Sequence, residues 1–218
     1  MHALHCVLVR FENIQKGESF DAEDVQLLVE DFRQEALDAT KNHEGRVFDW
    51  RRENAGRWAD DYPHCGVILG YKDPERFLNA LEEWRNKPLE AALENFEWCI
   101  GRDWGWRTRQ EIEAGGYTIF DNPLNGSVTI GGQFWSAVPL PLPTITPDNI
   151  RRIWDGTHEL GHLVYRLVDA LRPAIGEYTF DSQFYSVPDY SSRISSETLE
   201  NARKHPEWYA LVFLNYHY

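Results

Sequence analysis

The residues best able to do chemistry lie together at His158-Glu159-Leu160-Gly161-His162. The two histidines are four positions apart, so on a helix they share a face and both imidazoles can reach one ion. Zinc accepts imidazole nitrogen readily and, in a catalytic site, keeps one position open for water. A glutamate beside the first histidine can then take the proton from that water. In a chain of this composition chance supplies about 0.03 copies of the spacing, so the surrounding helix has to decide between chemistry and coincidence.

That helix is well marked. Thr146-Pro147-Asp148 supplies a cap, a proline for the first turn and an acid for the dipole, and the pattern runs to Leu171-Arg172 before Pro173. Ile150, Ile153, Trp154, Thr157, Gly161, Val164, Val168 and Leu171 recur at helical spacing as the buried stripe. His158 and His162 fall just beside it, sharing that flank with Arg151, Asp155 and Asp169. A flank bordering the core suits a pair that faces a cleft. It equally suits a surface ladder in which Asp155 and Arg166 pair with the histidines at one-turn spacing, and the residues leave both readings open.

The run Thr157 to Val164 resembles the active-site helix of the zincin metallopeptidases, in particular the short cytoplasmic zincins linked to phage repressors and stress regulators. The resemblance implies a zinc cofactor, with His158 and His162 as ligands and Glu159 as general base. It also implies an acidic third ligand on a following helix. Glu197 and Glu200 fit that place best, with Glu177, Asp181, His205 and His217 as the other candidates. The family's acidic-Asn-x-Phe-Ala pattern is met by Glu200-Asn201-Ala202-Arg203, which lacks the aromatic.

A second constellation is Phe48-Asp49-Trp50, then Gly56-Arg57-Trp58, then an apolar run ending in Tyr216-His217. It is similar to small uncharacterised proteins of bacteriophages and actinobacteria that carry an F-D-W…G-G-R-W pattern, with Ala55 here in place of the first glycine. That similarity implies a phage or mobile-element source and brings no activity with it. Trp50, Arg57 and Trp58 can form an arginine–aromatic stack for a planar ligand, or a structural cluster covering a sheet. Trp98, Trp104 and Trp106 can line a groove or serve as core and rim aromatics. His64-Cys65 can be read as a nucleophile pair, but neighbours on a strand point to opposite faces, which disfavours it.

The bulk composition narrows the partners. The chain has 218 residues, with 22 Lys+Arg against 35 Asp+Glu, a formal charge of −13. Such a field repels phosphate backbones and anionic lipid, so neither nucleic acid nor a membrane surface is expected as a direct partner. A protein or peptide is. The three cysteines, Cys6, Cys65 and Cys99, form neither a disulfide framework nor a Cys-x-x-Cys metal site. With no signal peptide and no apolar stretch long enough to span a bilayer, a cytoplasmic protein is expected. A Gly-x-Ser-x-Gly elbow and a phosphate loop are both missing from the sequence.

The elements that must position these residues read as α+β. Strands are expected at 6–11, 67–71, 117–120, 128–135, 178–187 and 209–216, and helices at about 22–41, 74–84, 88–100, 146–172 and 196–204. The first and last strands are apolar on both faces, as central strands are. A single mixed or antiparallel sheet with the N- and C-terminal strands central follows, in one compact domain over 1–218. A subdomain boundary can fall near 138–146, where Pro139, Pro141 and Pro143 stiffen the chain. Two functions are consistent with this. One is a zinc-dependent hydrolase, in the first place a peptidase. The other is a non-enzymatic acidic protein that binds and inhibits a host protein, of anti-defence type or one that itself binds nucleic acid.

Overall fold

The structure is a computed structural model, and it describes residues 1–12, 14, 18–52, 54–62, 66–100, 119–122, 127–130, 133–135, 151, 172–173 and 175–218. Contacts divide the chain into two compact units, one of Met1–Pro88 with Glu177–Tyr218, the other of Leu89–Gly176.

The first unit is organised by its two longest strands. β1, His2–Arg10, and β8, Tyr209–His217, are rich in β-branched and aromatic residues and pair antiparallel from His2↔His217 to Arg10↔Tyr209. Between them in sequence come α1 (Ala22–Thr40), β2 (Trp50–Arg52), β3 (Val67–Leu69), α2 (Pro74–Trp84) and α3 (Lys87–Ile100), the last crossing the division between units. β4 (Ile119–Asn122), β5 (Ser127–Ile130) and β6 (Gln133–Trp135) belong to the second unit, and β7 (Phe184–Ser186) and α4 (Ser196–Lys204) return to the first.

The main sheet runs β2–β8–β1–β7, with β3 added on β8. β2 and β3 lie antiparallel to β8 at its two ends, Trp50↔His217 and Val67↔Val212. β7 lies parallel to β1, Cys6↔Phe184. The sheet is therefore mixed and the terminal strands are central, as their two-sided apolarity requires.

Both faces are covered. Val7, Val9, Ala210, Val212 and Leu214 pack against Val29, Phe32, Ala36 and Leu37 of α1. Leu4, Cys6, Leu8, Leu211 and Phe213 pack against Phe77, Leu81 and Trp84 of α2 and Ala202 of α4. Phe32, Phe77, Phe184 and Phe213 are fully buried, and each such side chain stabilises the fold by roughly 1.5–3 kcal/mol relative to exposure. The helix starts are fixed locally. Asp21 caps α1 with a reciprocal bond from Asp24, Asp73 caps α2 ahead of Pro74, and Ser195 caps α4.

In the second unit β4, β5 and β6 form an antiparallel meander, Ile119↔Ile130 and Ile130↔Gln133. The run expected as one strand over 128–135 is thus two. Ile130 pairs with Gln133 across two glycines, the residue type that two-residue hairpin loops favour. The strand expected over 178–187 is shorter, Phe184–Ser186, because turns occupy 179–182. The helix expected over 146–172 lies outside the described residues, apart from Arg151, which is helical, and Arg172, which is in a turn.

Candidate functional site

The five residues His158 to His162 lie outside the described residues. Glu197 and Glu200 are described, both exposed on α4. Glu200 accepts from Lys204 Nζ at 3.3 Å, one turn along, and Glu197 sits in the first turn, where its charge complements the helix dipole. Among the described residues no group of three or more His, Cys, Asp or Glu side chains is placed to share a metal ion.

The arginine–aromatic residues separate into two places. Arg57, in a single 3₁₀ turn at Gly56–Trp58, lies over the Trp58 ring, 4.2 Å from its centroid. Trp50, on β2, stacks instead on His217 at 4.9 Å with an interplanar angle of 11°, and meets the His2 ring edge-on at 5.4 Å.

This second place is a polar and aromatic cluster at one end of the sheet. Its geometry follows from register. Trp50, His217 and His2 are direct neighbours across β2, β8 and β1, so their side chains emerge on one face. The two imidazoles lie 4.9 Å apart, nearly perpendicular. His217 Nδ1 is 2.8 Å from Asp49 Oδ1, and His2 Nδ1 is 3.1 Å from Asn215 Oδ1. The bond from His217 holds the Asp49 carboxyl below its ordinary range. Asn215 is itself hemmed in. Gly56 has φ +57°, and a Cβ there would collide with the Asn215 side-chain amide.

A second cluster is buried. His5, fully enclosed in β1, shares a 2.7 Å hydrogen bond with the Tyr178 hydroxyl and stacks on Tyr216 at 4.3 Å. Among the described residues its Nε2 has no partner. Burial lowers its pKa from 6.5 to about 3, and burial likewise pushes the Tyr178 phenol and the Cys6 thiol up. His43 touches Tyr178 and Tyr185 edge-on and is lowered by burial and by Arg46.

The first unit also carries an open cleft of about 470 Å³ beside α2. Tyr62 and Trp84 form its aromatic wall. Asp73, Glu75 and Glu83 outnumber Arg76 along it.

No family model, no curated protein and no solved structure matches this chain. Among the described residues no helix is long and apolar enough to cross a membrane.

The sequence pattern places Asp49, Trp50 and His217 in one constellation, but it does not bring in His2 or Asn215 as their neighbours. The available signal was the two-sided apolarity of both terminal strands. Once those strands are taken as antiparallel partners, position 2 falls near position 217.

Proposed function

We propose that the chain is a zinc-dependent hydrolase acting on peptide bonds. The observation that carries this is the H-E-x-x-H spacing at His158, Glu159 and His162, inside a sequence that caps and patterns as one helix. The donor set fits the metal, since two imidazoles and a carboxylate are ordinary zinc ligands. His158 and His162 would supply the imidazoles, and Glu197 and Glu200 are the carboxylates that the sequence offers as a third ligand. A zinc ion held there would lower the pKa of a coordinated water toward neutrality. Glu159 would be the base that takes a proton and returns it to the leaving amine.

The test is metal analysis of protein purified without a polyhistidine tag, with peptidase assay of the zinc-loaded chain. One equivalent of zinc that a His158→Ala/His162→Ala variant loses is the expected result. Glu159→Gln is expected to keep the zinc and lose the activity. Zinc far below one equivalent after reconstitution overturns the reading.

A second reading is favoured by the cleft beside α2, whose lining includes three carboxylates and two aromatic rings against one arginine. With a formal charge of −13, that surface suits a basic segment of a partner protein. Salt-dependent binding of lysine- and arginine-rich peptides, weakened by Glu75→Gln with Glu83→Gln, supports it. Binding that is absent at low ionic strength rejects it.

A further inference from the structure

We propose that His2 and His217 form a two-imidazole site for a divalent transition-metal ion of the Cu²⁺ and Zn²⁺ class, apart from the histidines of the H-E-x-x-H segment. Three observations carry it. The first is the spacing of the rings. A metal–nitrogen bond of about 2.0–2.1 Å places the ion roughly 3 Å from each ring centroid, so two adjacent imidazole ligands have centroids about 5 Å apart. His2 and His217 stand at 4.9 Å.

The second observation is the support behind each ring. A histidine that ligates metal through one nitrogen characteristically donates its other N–H to a carboxylate or carbonyl oxygen, which fixes the tautomer and the ring plane. Both rings have that support. His217 Nδ1 faces the Asp49 carboxylate at 2.8 Å, and His2 Nδ1 faces the Asn215 amide oxygen at 3.1 Å. With Nδ1–H engaged in this way, a neutral ring would carry its lone pair on Nε2. Asn215 is locked in turn by Gly56, whose missing Cβ leaves room for its amide.

The third observation is what stands at the open side. His217 Nε2 lies 3.4 Å from Met1 N, which also donates to the Tyr218 carbonyl oxygen. A metal ion would take the same place. Trp50 stacks flat on His217, and an indole face favours a ring that coordination has made electron-poor. Two imidazole nitrogens leave the remaining positions to water, and the affinity order puts Cu²⁺ above Zn²⁺ for such nitrogen sites.

The test uses the full chain with His158→Ala/His162→Ala as background, so that the result is independent of the hydrolase reading. Titration with Cu²⁺ is expected to give one equivalent bound, with an electron paramagnetic resonance signal split by two imidazole nitrogens. His2→Gln and His217→Gln are each expected to abolish it. Asp49→Asn is expected to weaken binding roughly 10–100-fold with the fold kept. Extending the chain before Met1, which converts the amine to an amide, is expected to leave binding in place.

Zn²⁺ followed by nitrogen NMR on the unsubstituted chain reads the same site without any variant. The Nε2 resonances of His2 and His217 are expected to shift together. Unmoved resonances, binding that survives both glutamine variants, or binding lost on extension overturns the proposal.

Discussion

His5 and Tyr178 share a hydrogen bond of 2.7 Å in the interior of the sheet. His5 is fully buried and its pKa is lowered from 6.5 to about 3. Between those two values the folded chain holds this imidazole neutral where an unfolded chain would protonate it.

Acid should destabilise the protein through this residue. A group whose folded pKa is depressed below its unfolded value gives up stability as pH falls between the two, here from 6.5 toward 3. The ceiling is on the order of 5 kcal/mol at the acid end. Urea melts at a series of pH values check this. His5→Phe is expected to flatten the profile over that window, and an unchanged slope would mean His5 is not its source.

Gly56→Ala should strain the chain twice over. The backbone sits at φ +57°, and the new methyl meets the Asn215 side chain. A loss of about 1–3 kcal/mol is expected in chemical denaturation. Because Asn215 holds His2, the His2 ring resonances should move with it.

Phe213 is the test of the α2 face. It is fully buried, stacks on Tyr62 at 4.0 Å and meets Trp84 at 5.3 Å. Phe213→Ala is expected to cost about 3–5 kcal/mol by denaturation, through lost burial and the cavity left behind.

Under the hydrolase reading, α4 makes a separable prediction. Glu200 is exposed and bonded to Lys204 within its own helix, so Glu200→Gln should change stability by less than about 0.5 kcal/mol. Zinc content should nonetheless fall in either Glu200→Gln or Glu197→Gln. Full zinc in both variants removes these two residues as ligands.

The elements of the first unit were legible where the signal is local. Asp21 and Asp73 announce helix starts, Pro74 fixes a first turn, and Val25, Leu28, Val29, Phe32 and Ala36 mark one face of α1. Two-sided apolarity placed β1 and β8 at the centre of the sheet. What local patterns could not supply was register. Three residues of β2 carry no periodicity to speak of, yet their pairing with β8 decides that Trp50 meets His217 and not Arg57. The same pairing decides that Asp49 and Asn215 become supports for two histidines at opposite ends of the chain. The strand read over 128–135 failed for a related reason, since alternation looks alike on both arms of a tight hairpin.

The pairing of β1 with β8 also has a consequence during synthesis. Val7 and Leu8 leave the ribosome long before their antiparallel partners Val212 and Leu211. Until then β1 lacks the longer of its two partners among the described residues. Contacts of such high sequence separation slow folding and keep sticky edges exposed. A chain that has made β1 but not β8 therefore keeps one edge of that strand unpaired, and the sheet closes only when the two distant segments meet.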